Sequence, residues 1–435
     1  MPQSVTRRVY MRVLILGSGA KDHAIAWWFS KSSYLSELFI APGNVATDQF
    51  AINLGSIDPS DPVEVYEACV ENRIEFVFIG TEAPLFTGVI DYLNERGIPT
   101  FGAPRRAIKL EADRNFARAF TDRHNIPTPR RNLFENSAAL EKFLNRHKGE
   151  HFVLKSNTLA PSRIMLDSSN TDDLIAFASR LFERGPVLLE EHVKGMHLTA
   201  TLLIDNNGYL ALPLTSDYMY TSEEKGIPTG GMGSVCPIPV SDEIIRSARE
   251  LVIEPTIYGM KVEGLSYKGV LTISIIVNEN NIPVVVDYHI RFNDPATQAM
   301  IPLIQNDIID LLKAMKEDRL SKENLRLREG STVAVVIASE NYPMNPVTGR
   351  KVESVNPILL YNTLSQLPLI FTGAVKGSNG DDIVTSGGRC FTVVGRGNTI
   401  SEANLNAYRY VDKFRFEGSW YREDIGNAFM IQNEN

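Results

Sequence analysis

Three ionisable side chains occupy alternate positions in the stretch VVVDYHIRFNDPATQ, residues 284–298. The three valines predict a buried strand, and successive side chains on a strand point to opposite faces. Asp287, His289 and Arg291 are therefore expected to share one face of that strand. An acid and an imidazole can hold a metal ion, and a guanidinium can bind an anion. The alternative is a plain solvated face on an edge strand.

A second candidate site lies near the N-terminus, where an apolar run ends in closely spaced glycines. Residues 12–17 (RVLILG) predict a buried parallel strand, and the residues GSGAKDHA overlap its end. Gly17 and Gly19 allow a tight turn before a segment with helical spacing from His23 onward. Such a turn offers backbone N–H groups to a phosphate, although a plain strand–helix turn has the same pattern. The third glycine of a dinucleotide-binding motif is absent.

Two further strand ends are expected beside this turn. ELFIAPGN (37–44) and IEFVFIGTEAPL (74–85) each predict a strand followed by a turn. Strands and helices that alternate over residues 11–103 predict an open parallel α/β domain, whose ligands bind beyond the carboxyl ends of the strands. Asn44 and the turn that carries Glu82 and Pro84 would meet the glycine turn at that edge.

The rest of the chain predicts two more domains. Residues 105–130 predict one amphipathic helix closed by a proline-containing turn. Short apolar runs then dominate, including HFVLKSN with Lys155, and predict a central α+β domain. A new series of strands, followed by a helix, predicts a strand-rich α+β unit at the C-terminus. The predicted domains are 11–103, 104–327 and 328–435.

The composition argues against several classes of protein. The 435 residues are 43% hydrophobic and 22% charged, as in ordinary globular proteins, and the formal net charge of -8 lacks the basic footprint of a nucleic-acid binder. No apolar run approaches the roughly 20 residues that span a bilayer. Three widely separated cysteines fit no zinc spacing and predict a reducing compartment. We therefore expect a cytoplasmic monomer or homodimer that binds neither nucleic acid nor membrane.

The order of motifs along the chain resembles the glycinamide ribonucleotide synthetases, which are phosphoribosylamine–glycine ligases of the ATP-grasp superfamily. GSGAKDHA, APGN and GTEAPL are followed by LLEEHVKG, TGGMG and RFNDPATQ, and SGGR lies near the end. The resemblance covers residues 11 to about 429. It implies a central ATP-grasp domain between an N-terminal α/β domain and a β-rich C-terminal domain. It also implies a reaction in which ATP phosphorylates a carboxylate and an amine attacks the acyl phosphate, giving an amide, ADP and phosphate.

The resemblance implies roles for residues at the matching positions. Asp287 and His289 would hold Mg²⁺ or Mn²⁺, with His289 in place of an asparagine. Imidazole suits softer ions such as manganese better than it suits magnesium. Arg291 and Asp294 would act on the reacting groups. The residues implied for ATP are Arg114, Lys155, Glu190, Glu191 and Val193.

The implied substrates are small molecules, namely an amino acid or other carboxylate and a phosphorylated amine. The segment 229–233 carries three glycines and is expected to be a loop that closes over substrate. Residues from all three predicted domains would bind these substrates: Gly17, Gly19, His23, Asn44, Glu82, Pro84, Thr229, Gly230, Gly231, Met232, Gly233, Pro295, Gly388 and Arg389.

The chain departs from the family pattern around the nucleotide. Residues 156–166 (SNTLAPSRIML) lack the expected glycines, and Arg163 stands near a lost lysine. Met196 and His197 replace paired glutamates. Three hypotheses remain: a working synthetase, a paralogous ligase for a different amine or acid, and a non-catalytic relative that binds a ligand or partner. An oxidoreductase is a fourth, but no acidic residue ends the strand in ELFIAPGN.

Overall fold

The computed structural model of the protein describes residues 10–157, 165–222, 226–352, 368–377 and 383–430. Within these ranges the strands form two five-stranded sheets, two four-stranded sheets and one two-stranded sheet. None of the helices in the same ranges is long and apolar enough to cross a membrane.

The first hundred residues form an open sheet of parallel strands, as the alternation of strands and helices predicts. The strands are β1 (Met11–Gly17), β2 (Leu35–Pro42), β3 (Ile52–Asn53), β4 (Phe76–Ile79) and β5 (Thr100–Phe101). The helices are α1 (Ala20–Phe29), α2 (Pro62–Glu71), α3 (Ala83–Thr87) and α4 (Val89–Glu95). The strand order is β3–β2–β1–β4–β5, so the winding direction reverses at β1. Ligands of such sheets bind at this reversal.

A four-stranded antiparallel sheet follows, in the order β6–β9–β7–β8. The elements of this region are α5 (Lys109–Ala112), α6 (Arg114–Arg123), β6 (Arg131–Phe134), α7 (Ser137–Arg146), β7 (Phe152–Ser156), β8 (Met165–Ser168), α8 (Thr171–Phe182) and β9 (Val187–Glu191). Phe152, Leu154 and Leu189 lie in one apolar cluster with residues of α7 and α8. Alternate residues such as Lys155 and Glu190 therefore point to the opposite face. We call this sheet with α7 and α8 the small lobe.

The third sheet faces the small lobe and has the order β11–β10–β14–β15. The elements from residue 195 to residue 316 are β10 (Gly195–Ile204), β11 (Tyr209–Ala211), β12 (Ser216–Tyr220), β13 (Pro228–Cys236), α9 (Asp242–Ala248), α10 (Glu254–Val262), β14 (Gly269–Asn278), β15 (Pro283–His289), α11 (Ala296–Met300) and α12 (Ile308–Lys316). Ser274 pairs with Asp287 and Ile275 with Val285, so β15 contains a bulge at Val286.

The last large sheet combines two separate parts of the chain in the order β12–β13–β16–β20–β17. Its later elements are β16 (Ser331–Ala338), β17 (Leu369–Thr372), β18 (Val375–Lys376), β19 (Val384–Thr385), β20 (Arg389–Gly397), α13 (Ile400–Val411) and α14 (Asn427–Met430). β13 pairs antiparallel with β16. The domain boundary predicted at residue 328 therefore falls between two paired strands.

Residues 229–233 lie inside β13, so the prediction of a loop for this glycine-rich segment was wrong. Gly233 pairs with Tyr218 on β12 and with Val335 on β16. Met232 is fully buried and packs with Val336. The pairing on both sides and the buried methionine outweigh the low strand preference of glycine.

The single helix predicted over residues 105–130 is two helices, α5 and α6. Asp113 has extended backbone between them, and its side chain accepts a hydrogen bond from the Phe116 N–H at 3.0 Å. An aspartate in this position caps a new helix and satisfies one of its free N–H groups. The cap places Arg114 in the first turn of α6 and Arg118 one turn later.

Candidate active-site cleft

The glycine turn before α1 closes around an aspartate of its own helix. Asp22 Oδ2 accepts hydrogen bonds from the N–H groups of Ser18 at 2.9 Å and Gly19 at 2.8 Å. A Cβ atom at Gly17 would lie 2.2 Å from the Asp22 carboxyl carbon, so this position requires glycine. Two amides that the sequence offers to a phosphate are therefore already satisfied by a carboxylate.

A cleft of about 860 Å³ opens in front of this turn. Asn44 joins two of its walls, because its Nδ2 donates to Ser18 O and to Thr372 O, both at 2.8 Å. Tyr342 and Lys376 also line the cleft; neither belongs to a motif that could have singled it out in the sequence. The predicted site residues that line the cleft come from three distant parts of the chain: Gly19, Asn44, Asp294, Gly388 and Arg389.

His23 is fully buried behind the cleft rather than on its surface. Its Nδ1 accepts a hydrogen bond from the Thr372 N–H at 3.0 Å, and its ring lies between Phe50 and Phe371. Burial lowers the pKa of His23 to about 3, so the ring is neutral at physiological pH. His23 therefore links α1 to β17 and does not line the cleft.

Arg291 lies two residues beyond the end of β15, so the expectation that it shares a strand face with Asp287 and His289 was wrong. Its guanidinium contacts the predicted residue Glu82 and lies 3.4 Å from the buried Glu111. Burial lowers the pKa of Arg291 to about 10. The strand ends too early for a shared row, but the side chain still meets carboxylates. Pro84 is buried in the first turn of α3, close in sequence to Glu82.

The turn at Asp294 brings together three of the predicted segments. Arg389 Nη1 lies 3.2 Å from Asp294 Oδ1 and donates to Gly230 O at 2.7 Å. Gly231 has a φ of +110°, and a Cβ atom there would lie 2.5 Å from Asp294 O. Gly230 N–H donates to the Tyr342 hydroxyl at 2.9 Å. Gly231 is required because its backbone packs directly against the backbone of Asp294, and a Cβ atom at Gly230 would lie 3.0 Å from the Arg389 guanidinium.

The remaining residues predicted to bind substrate lie behind this edge. Thr229 Oγ1 donates to Met219 O at 3.0 Å, and Met232 points into the apolar interior. A Cβ atom at Gly233 would lie 2.5 Å from the Ile425 side chain. Pro295 is buried in the turn that follows Asp294. These residues support the cleft wall rather than form its surface.

The inner face of the small lobe holds a buried network of three charges. Glu190 lies 2.7 Å from Lys155 Nζ and 2.5 Å from Arg118 Nε, and all three side chains are at most 6% exposed. Burial alone would raise the pKa of Glu190, but Arg118 and Lys155 outweigh it and lower the pKa to about 2. Glu190 is therefore ionised at neutral pH and holds both cations in place.

The same network ties the small lobe to the third sheet. The bulged residue Val286 presents its carbonyl oxygen to the lobe, where it accepts from Arg118 at 2.7 Å and from Lys155 at 3.3 Å. Arg114 donates to Ser156 O at 2.5 Å. The cations predicted for ATP phosphates, Arg114 and Lys155, thus lie where the two sheets face each other.

Glu191 and Val193 lie at the outer end of β9, away from this network. Strand alternation turns Glu191 to the other face, where it pairs with Arg130 at 2.6 Å. Arg130 is 91% exposed, so the pair lies in solvent. Val193 is partly buried just beyond the strand. Arg163, the residue expected near the lost lysine, lies outside the described residues.

Asp287 and His289 share one face of β15, as predicted. An Asp287 oxygen lies 3.9 Å from Arg114, at the surface where the third sheet faces the small lobe. A divalent ion bound to this carboxylate would meet the phosphates of a nucleotide in that space. His289 is 4% exposed. Its Nδ1 lies 3.2 Å from Glu111 and its Nε2 lies 3.2 Å from Ser274. Both ring nitrogens have partners in this conformation, so Asp287 fits a metal better than His289 does; ligation by His289 stays a prediction.

Sequence reasoning did not single out Arg118 and Glu111. Arg118 follows Arg114 by four residues on α6, a spacing that puts both on one helix face, and this was an available signal. Glu111 accepts a hydrogen bond from the Ile290 N–H at 3.0 Å and meets Arg291 and His289. No local pattern marks Glu111, because its partners follow it by about 180 residues.

Three family models together match almost the whole chain. They are described as the phosphoribosylglycinamide synthetase N domain at residues 11–111, its ATP-grasp (A) domain at 112–297 and its C domain at 332–428.

The similar proteins and solved structures agree with the family models. The chain is 33% identical to the phosphoribosylamine–glycine ligase of Chlorobaculum tepidum and 30% identical to that of Neisseria meningitidis serogroup B. Each match covers 96% of this chain and 99% of the relative. The crystal structure of the Thermotoga maritima phosphoribosylamine–glycine ligase superposes with a TM-score of 0.79 at 28% identity, covering 95% of this chain and 100% of that one. A biotin carboxylase from Campylobacter jejuni shares the fold, with a TM-score of 0.70 at 14% identity.

Proposed function

Because the chain belongs to the phosphoribosylglycinamide synthetase family, a family of ATP-dependent C–N ligases, we propose that it joins glycine to phosphoribosylamine. ATP transfers its γ-phosphoryl group to the carboxylate and leaves as ADP. The amine nitrogen attacks the carbonyl carbon of the acyl phosphate, the C–O bond to phosphate breaks, and the amine loses a proton. The protein supplies position and charge rather than a covalent nucleophile.

The observation that carries this proposal is the composition of the 860 Å³ cleft. Residues 19, 44, 294 and 388–389, chosen from separate motifs, line one concave surface. It lies at the carboxyl ends of β1 and β2, on the edge of the parallel sheet where α/β domains bind ligands. Arg389 and Lys376 lie in its wall together with Asp48 and Asp294, so both the phosphate and the amine of a phosphorylated amine would meet groups of opposite charge.

The nucleotide is assigned to the space between the small lobe and the third sheet. Lys155 and Arg114 would bind its phosphates, and the chain around residues 190–193 would receive the adenine. A divalent cation held by the Asp287 carboxylate would neutralise charge on the phosphates. Lys155 is paired with Glu190 in the structure, so a bound phosphate would share this cation with the glutamate.

Arg291 and Asp294 are assigned to the junction between the two spaces. Asp294 lines the cleft, and Arg291 is buried beside Glu82 and Glu111. An arginine held by two carboxylates is fixed in orientation, and a phosphoryl group that replaced one of these carboxylates would be stabilised by the guanidinium.

The test is ADP release by the purified protein with ATP, glycine, phosphoribosylamine and either Mg²⁺ or Mn²⁺. We expect ADP release only when all components are present. Lys155→Met should raise the Kd of ATP more than about tenfold, because a charged hydrogen bond to phosphate is lost. The control is Lys148→Met, an exposed lysine of the same lobe, which should leave the Kd unchanged. Equal ATP affinity in both variants would show that Lys155 does not bind ATP.

A paralogous ligase with other substrates is the second candidate. Met196 and His197 stand at positions where the family pattern has glutamates, so the surroundings of the nucleotide differ. ADP release with another acid or amine, and not with glycine and phosphoribosylamine, would select this candidate. Tight ATP binding without turnover on any pair would indicate a non-catalytic relative.

A further inference from the structure

The inner face of the small lobe carries a second group of ionisable side chains at its outer end. Phe152 pairs with Glu191 across β7 and β9, so the next residues, His151 and His192, lie opposite each other. The His192 N–H donates to His151 O at 3.0 Å, which continues the ladder by one step. On the other side of β7, Asp167 of β8 pairs with Val153. The sheet register therefore brings two imidazoles and a carboxylate together.

The three side chains converge on one point. His151 Nε2 lies 2.7 Å from Asp167 Oδ1, and His192 Nδ1 lies 3.0 Å from the same oxygen. The two imidazole rings stack with their centroids 4.0 Å apart and their planes 5° from parallel. The candidate ligand atoms all lie within 4.8 Å of one another. In the part of the chain that the structure describes, this is the one group of three or more such residues with that geometry.

The arrangement does not suit a simple ion pair. A single carboxylate balances only one imidazolium, and two protonated rings stacked face to face would repel each other. Two neutral imidazoles and one carboxylate are instead a common ligand set for a transition metal. Ligand atoms around tetrahedral zinc lie about 3.3 Å apart, so small outward movements of the two partly exposed histidines would admit the ion.

We propose that His151, Asp167 and His192 form a binding site for a divalent transition metal such as Zn²⁺ or Co²⁺. The nitrogen donors favour these ions over Mg²⁺, which prefers oxygen. Three protein ligands leave a coordination position for water or for an anionic group of a bound molecule.

A tyrosine and a further histidine stand around these ligands. The Tyr220 hydroxyl donates to Asp167 Oδ2 at 3.1 Å. A donor of this kind orients a ligating carboxylate. His197 on β10 lies within electrostatic reach of His192 and Asp167. The site stands on this geometry alone and does not depend on the proposed ligase activity.

The test is a calorimetric titration of the chelator-treated, full-length protein with ZnCl₂. We expect one tight zinc per chain. His151→Ala and His192→Ala should each weaken binding by more than about 100-fold, because a lost ligand costs more than the 10–100-fold typical of an outer partner. Tyr220→Phe should weaken it by about tenfold. The absorption spectrum of the Co²⁺ form should show the bands of a nitrogen–oxygen site and lose them in the histidine variants.

The matched control is His147→Ala. His147 lies in the same lobe and contacts a single carboxylate, Glu150, at 2.9 Å, so its loss should leave zinc affinity unchanged. The three cysteines are buried, and burial raises the pKa of each thiol, which removes them as competing ligands. His151 is 40% exposed, so replacing it should not disturb folding. No stoichiometric zinc in the wild type, or equal binding in all histidine variants, would overturn the site.

Discussion

Two adjacent glutamates, Glu190 and Glu191, have opposite surroundings, one buried and one in contact with solvent. Strand alternation sends Glu190 inward, where Lys155 and Arg118 enclose it, and Glu191 outward to the exposed Arg130. The sequence predicted both as nucleotide contacts and could predict that they face opposite ways. It could not predict the partner of Glu190, because Arg118 precedes it by 72 residues.

Glu190→Ala should lower the free energy of unfolding by about 3–5 kcal/mol, because it leaves two buried cations without a counter-charge. Glu191→Ala is the matched control. Its ion pair is exposed and screened, so the loss should be below about 1 kcal/mol. Urea denaturation at pH 7 measures both values. Equal losses in the two variants would contradict the buried network.

The contribution of Glu190 to the free energy of unfolding should also depend on pH. The pKa of Glu190 is about 2 in the folded protein and near its ordinary value of 4.5 in the unfolded chain. A lowered pKa stabilises the fold fully above pH 4.5, and the stabilisation disappears as the pH falls from 4.5 towards 2. The difference in stability between wild type and Glu190→Ala should therefore shrink over that interval. A constant difference would show that packing, not charge, explains the loss.

At the scale of elements, strands with apolar sequences were predicted correctly, whereas the glycine-rich strand β13 was not. β1, β2 and β4 contain continuous apolar runs, and each lies where its run predicts a strand. β13 was missed because three of its residues are glycines, and its strand form comes from neighbours distant in sequence. The break between α5 and α6 could have been predicted from the sequence, because Asp113 is of a residue type that commonly caps a helix N-terminus.

Gly231→Ala should destabilise the protein by about 3 kcal/mol, because it adds a methyl group against the Asp294 carbonyl at a left-handed φ. The matched control is Gly149→Ala. Gly149 also has a positive φ, but nothing lies within 4 Å of its added Cβ, so the loss should be about 1 kcal/mol. Thermal unfolding compares the two. Gly231→Ala should also raise the KM for the amine substrate, whereas Gly149→Ala should not.

At the scale of the whole molecule, the cleft and the Lys155 network lie between sheets rather than within any one of them. The 860 Å³ cleft takes residues from the first and last sheets, and the Lys155 network joins the small lobe to β15. The sequence predicted the open parallel sheet and many of the residues around the cleft. It did not predict that strands on either side of residue 328 share a sheet, because strand pairing across a hundred residues leaves no local pattern.

The proposed zinc and nucleotide sites share the inner face of the small lobe, so their ligands should affect each other. His192 directly follows Glu191 in the segment assigned to adenine, and zinc bound there would fix that segment. We expect zinc to change the Kd of ATP by roughly tenfold, and ATP to change the Kd of zinc by the same factor, since coupling between sites is reciprocal. Calorimetric titration of each ligand, with and without the other, measures both factors. His192→Ala should abolish the zinc effect while ATP still binds, and His147→Ala should preserve it. An ATP affinity that zinc leaves unchanged in the wild type would place the two ligands in independent parts of the lobe.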